Sequence, residues 1–418
     1  MRRSDATLFT SRETEGWEND AVELAVRAGL VRQFGSGLFG FTPTGERVRQ
    51  KLITRIRTEM DAIGGQAVSL PNLQYSDVWR QSGRWGSFEG EMFTFENRDG
   101  QAMCLAPSHE EGIVHLVEGT VRSYEDVPLL LYQVERKHRD DHPRNGLLRT
   151  KEFTMKDAYS LHATEASLDE WYARVRDAYC RIFDAVGLDF VVVDASNSVM
   201  GGSTSEEFVA PVETGSEELV YCRTDGCRVG VTDESPGTSL TDGDTCPDCG
   251  AALVAGEGIE VGHVFKLGTR YSEPADLTLD TADGSKRLVR MGSYGIGVER
   301  LLHTLVEQHG DDGGLRWPVT DNGSVAPYEV SIIPLEYEGD LADAADRIYD
   351  ACGRDEVLLF DDEDQTIGER FAESDLLGIP RKVILGNSFR ETGDVELETR
   401  DGETRFVAPE VVSDVVSG

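Results

Sequence analysis

Residues 132–159 read YQVERKHRDDHPRNGLLRTKEFTMKDAY, and their charge is opposite in sign to that of the chain around them. Between Arg136 and Lys156, the cations Arg136, Lys137, Arg139, Arg144, Arg149, Lys151 and Lys156 stand against Asp140, Asp141 and Glu152, in a protein of formal charge −36. Residues 129–139 and 152–159 are rich in aliphatic and aromatic side chains and read as strands, while Pro143, Asn145 and Gly146 between them form turns. The expectation is a hairpin with a long, basic, mobile tip. Alternation across a strand sets Arg139 on one face with Lys137 and Glu135, and Phe153 with Met155 and Asp157. A guanidinium and a ring brought together there suit a phosphate and a flat base. A hairpin whose charges serve only solubility accounts for the same residues.

The 418 residues suffice for two or three domains with proper cores. With 77 acidic against 41 basic residues, the composition suggests a salt-rich, halophilic cytosol in which surface carboxylates hold water. An acidic interaction surface is the other reading. High salt weakens purely electrostatic contacts with nucleic acid, so recognition there leans on hydrogen bonds, shape and stacking. No run approaches the ~18 apolar residues of a membrane helix. The opening MRRSDATLFTSRETEG is too polar for a signal peptide, which makes the expected location cytoplasmic.

Residues 1–43 read as an N-terminal segment with one helix over 19–32. The spacing of Val48, Leu52, Ile53, Ile56, Met60 and Ile63 marks a helical face, capped by Thr44 and stopped by Gly64-Gly65. A strand ending at Pro71 follows. Residues 100–200 alternate strand and helix, with a helix near 168–186 and a strand over 189–193. Strands are expected near 261–267 and 288–291, then a Gly-rich turn, GSYGIGVER, leading into a helix that carries Arg300. Glycines at such a junction let backbone approach a ligand, although tight packing with a surface arginine explains them equally. After a linker at 323–327, strands at 328–334, 356–360 and 382–385 alternate with helices at 341–351 and 368–377. That βαβαβ order implies a small sheet with helices packed on it.

Seven cysteines divide into two groups. Cys104, Cys180 and Cys352 are isolated and read as buried thiols. Cys222-x4-Cys227 and Cys246-x2-Cys249, with Gly226, Pro247 and Gly250, have the knuckle pattern of a four-cysteine zinc ribbon. Disulfides are the weaker reading in a reducing cytosol.

RAGLVRQFGSGLFGFTPTGERV (27–48), the helix ending in SLP at Pro71, HRDD (138–141) and GIGVER (295–300) resemble, in order, the N-terminal segment and motifs 1, 2 and 3 of prolyl-tRNA synthetases. PSHEE (107–111), GGSTSEEF (201–208) and EVGHVFKLGTRYSE (260–273) are similar to that family's amino-acid-pocket segments. Over nearly its whole length the chain resembles the bacterial kind of this class II aminoacyl-tRNA synthetase, in a short form without the editing insertion domain. The resemblance implies an α+β catalytic domain built on an antiparallel sheet, the class II synthetase fold, with a C-terminal α/β anticodon-binding-like domain. Its expected divisions are 1–221 and 257–322 for the catalytic domain, 222–256 for the four-cysteine insertion and 328–418 for the C-terminal domain. It also implies a homodimer, with motif 1 at the interface.

The activity implied is that of an ATP-dependent, AMP-forming proline–tRNA ligase, with tRNA, proline and ATP as partners. By the family pattern, Arg139 would hold the α-phosphate and the proline carboxylate, and Arg149 and Arg300 the β- and γ-phosphates. Phe153 would stack on adenine, and Asp141 would read its amino group. Ser108, Glu110, Arg139, His263, Phe265 and Ser293 would line the proline pocket, with Glu110 facing the secondary ammonium. Mg2+ would bridge the phosphates, and structural Zn2+ would sit on Cys222, Cys227, Cys246 and Cys249.

Several positions depart from the pattern. Asp141 is a methylene shorter than the usual glutamate, Ser108 replaces a common threonine and Ser293 a common cysteine. The C-terminal part from Leu335 holds 8 basic and 23 acidic residues, and Glu363 and Asp364 stand where relatives commonly carry basic ones. Two other functions are compatible with these departures. One is a paralogue that activates proline or a related imino acid for a carrier protein or small molecule, and the other a non-catalytic RNA-binding protein of the same fold.

Overall fold

The computed structural model describes the chain except residues 12, 15, 18, 89–90, 197–199, 238, 363 and 418, so the expectation for Glu363 lies outside the described residues. Its centre is a largely antiparallel sheet of nine strands. These are β1 (Gln66–Ala67), β2 (Leu129–His138), β3 (Glu152–His162), β4 (Val191–Asp194), β5 (Thr204–Val212), β6 (Glu217–Cys222), β7 (Gly230–Thr232), β8 (Leu253–Gly268) and β9 (Arg290–Gly297). The path runs β7-β6-β8-β9-β3-β2-β1, with β5 joining β8 to β4, and only the β1–β2 pairing is parallel. Helices α1 (Asp20–Arg27), α2 (Pro43–Ala62), α3 (Glu110–Val117), α4 (Glu165–Ala185) and α5 (Val298–His309) complete the unit.

Strands β2 and β3 pair with Lys137 opposite Phe153, Glu135 opposite Met155 and Gln133 opposite Asp157, so the expected face forms. The intervening tip is anchored, contrary to the mobile loop expected. Leu147 and Leu148 are buried in the main core. A Cβ on Gly146 would lie 2.1 Å from a Val22 methyl, and the Lys151 N–H donates to the Gly37 carbonyl at 2.9 Å. The two leucines outweigh the turn chemistry, because each buried leucine contributes about 1.5–3 kcal/mol.

Other boundaries shift for local reasons. Helix α1 ends at Arg27, not at residue 32, because Gly29 takes a positive φ of 67°. Residues Val31–Gly35 and Leu38–Phe41 then form a hairpin. The cap of α2 is Thr42, not Thr44: its side chain accepts from the Gly45 N–H at 3.2 Å, and Pro43 occupies the first turn. The α2 face at Val48, Leu52, Ile53, Ile56 and Met60 is buried as expected. GSYGIG is not a turn but most of β9. Gly292 is required there because a Cβ would lie 2.2 Å from the Tyr294 hydroxyl. The expected linker is packed, with Ser324, Val325 and Ala326 all buried. Cys104 and Cys352 are buried, whereas Cys180 is only half-buried.

The C-terminal sheet has the order β11 (Val357–Leu359), β10 (Val330–Pro334), β12 (Arg381–Leu385), β13 (Val395–Thr399) and β14 (Thr404–Val407). Strand β10 is parallel to both neighbours, and β13 and β14 add an antiparallel extension absent from the sequence reading. Helices α6 (Gly339–Ala351) and α7 (Ile367–Leu376) pack on it. The N-terminal residues strap onto this unit: Arg2 pairs with Asp346 at 2.7 Å, Arg3 with Glu373 at 2.7 Å, and Leu8 is buried beside Tyr328 and Phe360.

Because the tip is held through its leucines, Leu147→Ala is expected to cost about 2–5 kcal/mol, read as a lower midpoint for unfolding of the catalytic unit. An unchanged midpoint would show that the tip is not anchored.

Candidate active site

A cleft of about 420 Å³ opens on the sheet face that carries Arg139 and Phe153. All ten non-cysteine residues singled out from the sequence line it. Arg139, Asp141, Arg149 and Phe153 come from the β2–β3 hairpin, Ser108 and Glu110 from the start of α3, and His263, Phe265, Ser293 and Arg300 from β8, β9 and α5.

The arginines differ in their partners. Arg149 is paired with Asp141, and Arg300 with Glu260 at 2.7 Å. Arg139 has no carboxylate at ion-pair distance among the described residues. Its guanidinium lies 5.3 Å from the Phe153 ring centroid and touches only the Pro107 carbonyl, at 3.4 Å. Burial therefore lowers its pKa, and the nearby Arg300 adds to the effect. Such a partly desolvated cation beside an aromatic face is an incomplete site that an anion completes.

The opposite end is acidic and apolar. The Ser293 hydroxyl donates to Glu110 at 3.1 Å, and the Arg84 guanidinium meets Glu110 at 3.2 Å and Glu111 at 3.0 Å. His263 stacks on Phe265 with centroids 3.7 Å apart, its Nδ1 lying 3.2 Å from Glu207 and 3.3 Å from Glu260. Burial opposes the charge on Glu260, but Arg300 and His263 together outweigh it and hold the carboxyl down at about 2. Glu207 is pushed up by burial and by the charge of Glu260.

Beneath the cleft, Lys137 and Asp157 form a buried ion pair at 2.7 Å. Gln133 and the Tyr159 hydroxyl both donate to Asp157, at 2.9 and 2.8 Å. His109 is pushed down to about 4 by burial and by Lys137, so it is neutral at physiological pH.

Sequence reasoning missed Arg84, Glu111, Asp157, Glu207 and Glu260 as site groups. Glu111, Glu207 and Glu260 lay inside pocket segments already singled out. Arg84 follows the short helix Ser76–Gln81 and carries no spacing signal, although Trp79 and Phe88 flank it and pack on it at 5.2 and 4.8 Å.

Away from the cleft, Cys222, Cys227, Cys246 and Cys249 converge, with their sulfurs all within 4.8 Å of one another. Cys222 and Cys249 are 3.4 Å apart, and Cys227 and Cys246 3.6 Å. Four thiolates at ~2.3 Å from a tetrahedral zinc stand about 3.8 Å from each other, so the set fits that ion. No helix is long and apolar enough to cross a membrane, among the described residues.

Residues 93–309 match the family "tRNA synthetase class II core domain (G, H, P, S and T)", and residues 329–416 match "Anticodon binding domain". The proline–tRNA ligase of Maricaulis maris is 37% identical over 418 residues, covering 93% of this chain and 92% of that protein. The proline–tRNA ligase of Anaplasma marginale is 39% identical over 419 residues, covering 96% of each. These relatives thus share the short form. Among solved structures, a prolyl-tRNA synthetase from Cryptosporidium parvum complexed with L-proline and AMP superposes with a TM-score of 0.76 at 16% identity, over 99% of this chain and 78% of that one. At that identity the likeness is one of fold.

The pair beneath the cleft yields a direct expectation. Lys137→Met strands the Asp157 carboxylate without a counter-charge and should lower stability by about 3–5 kcal/mol in denaturant titration. A loss within about 0.5 kcal/mol, as for surface changes, would mean that the two groups are not paired.

Proposed function

We propose that this chain, which belongs to the proline–tRNA ligase family of class II aminoacyl-tRNA synthetases, activates L-proline with ATP and transfers it to the 3′ end of tRNA(Pro). The observation that carries the reading is the convergence of a phosphate-ready arginine, an aromatic face and a buried carboxylate in one cleft, in a chain of this family. In the first step a proline carboxylate oxygen attacks the α-phosphorus of ATP, and pyrophosphate leaves. In the second, a terminal ribose hydroxyl of tRNA attacks the prolyl carbonyl, and AMP leaves. Little covalent chemistry falls to the protein, so rate comes from positioning and charge stabilisation.

Arg139 serves both reacting partners, holding the proline carboxylate against the α-phosphate. Its rigid fork binds paired oxygens and stays charged. Phe153 stacks on adenine, with Asp141 toward the exocyclic amine. Arg149 and Arg300 exchange their present carboxylate partners for β- and γ-phosphate oxygens. Ser108, Glu110, His263, Phe265 and Ser293 form the proline pocket, and Glu110 takes the secondary ammonium. Glu207 and Glu260, the latter paired with Arg300, are hard oxygen donors that would hold Mg2+, whose charge would offset that of the phosphates. The four cysteines would hold a structural Zn2+, with no open coordination position for chemistry.

The two sheets and the family matches support a catalytic part over 1–322 and a C-terminal domain over 328–418, whereas the 222–256 segment lends β7 and the start of β8 to the central sheet. Homodimerisation through the motif 1 region, a cytoplasmic location and a salt-rich habitat complete the reading. The last of these rests on the charge of −36.

ATP–pyrophosphate exchange with a panel of amino acids in molar potassium chloride, followed by charging of tRNA, tests the function. Proline-dependent exchange with charging is expected. Exchange without charging would instead indicate a carrier-directed paralogue, and no exchange a fold retained for binding. In the same assay Arg300→Ala should lower kcat/KM at least about 100-fold, as loss of a charge-stabilising group does. Protein purified without chelator should carry about one zinc per chain, and much less would remove the ribbon reading.

A further inference from the structure

Arg84 reaches the cleft from behind the pocket that holds Glu110. It is buried, clamped between the rings of Phe88, Trp79 and Tyr271 at 4.8, 5.2 and 5.3 Å. Its Nη2 donates to the Ser108 hydroxyl at 3.2 Å, and its Nη1 is shared between two carboxylates. Glu110 lines the cleft, whereas Glu111, the next residue of α3, faces away from it and accepts from Ser82 at 2.7 Å.

The charges form an odd set: one guanidinium and two carboxylates, all buried. The neighbouring Lys137–Asp157 pair is balanced, His109 is neutral, and Arg139, which feels the charge of Glu110 across the cleft, makes no ion pair with it among the described residues, so none of them supplies the missing partner. Burial pushes the Glu111 carboxyl up and Arg84 pulls it back. Both Glu111 oxygens accept from Arg84, and one also from Ser82, which is the environment of a carboxylate. One negative charge is thus left over, and the carboxylate of the two that lines the cleft is Glu110.

We propose that Arg84 and Glu111 are a positioning pair that sets the charge of the imino-acid pocket. Glu111 neutralises Arg84 from behind, so that Glu110, held in place by the same guanidinium, presents an uncompensated carboxylate to the secondary ammonium of the substrate. The inference rests on the assignment of this pocket to proline. It adds that affinity for the ammonium is set by a residue that never touches it.

Glu111→Gln keeps an acceptor for Ser82 but removes the rear charge, so Arg84 turns its whole charge on Glu110. In pyrophosphate exchange, E111Q should raise the KM for proline about tenfold, the effect of one charge-assisted contact, with kcat and the KM for ATP nearly unchanged. Removing both rear charges in R84M/E111Q restores the lone carboxylate, still anchored by Ser293, and should lower the proline KM at least about threefold from that of E111Q. A merely structural role predicts the reverse, with the double variant worse. Unchanged KM for proline in E111Q, or no recovery in the double variant, overturns the pairing. Should E111Q not fold, the double variant decides alone, a tenfold or greater rise being the adverse result. Absence of proline-dependent exchange in the unaltered protein overturns the substrate reading and this inference together, and is visible before any variant is made.

Discussion

The register of β2 against β3 is the constraint on which the cleft depends. Side chains alternate across a strand, so one pairing sends Tyr132 and Ala158 into the core and turns Gln133, Lys137, Phe153 and Asp157 to the other face. A slip of one residue would drive the charges into the core. Two contacts hold the register: Gln133 donates to Asp157 directly opposite, and Lys137 reaches the same carboxylate along the strand. Arg139 then emerges just beyond the end of β2, over the ring of Phe153, with nowhere to discharge its cation except the open cleft. The position of the free guanidinium is a consequence of sheet geometry rather than of the loop that follows it.

The same economy governs the rest of the basic cluster. In a chain so acidic, most of its cations are neutralised from within: Arg149 by Asp141, Arg136 by Glu152, Lys151 by Asp140. A phosphate ligand therefore exchanges partners with existing carboxylates instead of meeting bare charge. Partner exchange in a partly enclosed cleft is less sensitive to salt than long-range attraction across open solvent. Internal pairing of this kind explains how so negative a protein can present a site for an anion.

Much of this was legible in the sequence, and the failures have local causes. The hairpin, the α2 face and the convergence of Ser108, His263 and Arg300 were readable because strand alternation, helical spacing and long family segments act through backbone geometry. GSYGIG looked like a turn because glycine is a turn former, whereas here it makes room for Tyr294 within a central strand. The tip looked mobile because its polar residues outnumber Leu147 and Leu148, and burial of two leucines is a tertiary fact. Arg84, and the role of Glu111 within PSHEE, were invisible for a related reason. Their meaning lies in a three-charge balance across 27 residues of chain, and no spacing rule encodes which carboxylate faces the cleft.

Helix α2 links the two ends of the molecule. On one side Arg49 donates to Thr154 at 2.7 Å and lies 3.7 Å from Glu299, gripping β3 beside Phe153 and the first turn of α5 at the residue before Arg300. On the other side Lys51 pairs with Glu329 at 3.2 Å and Glu356 at 2.6 Å, and Arg47 donates to the Pro327 carbonyl at 2.8 Å. The C-terminal sheet is thus fastened, through three successive odd-numbered residues of one helix, to the strand that carries the proposed adenine platform. An interior packed at crystalline density transmits displacement instead of absorbing it, so α2 ties the position of the C-terminal sheet to that of the cleft, alongside Leu315 and Trp317, which donate to the Leu376 and Leu377 carbonyls at 3.3 and 3.0 Å.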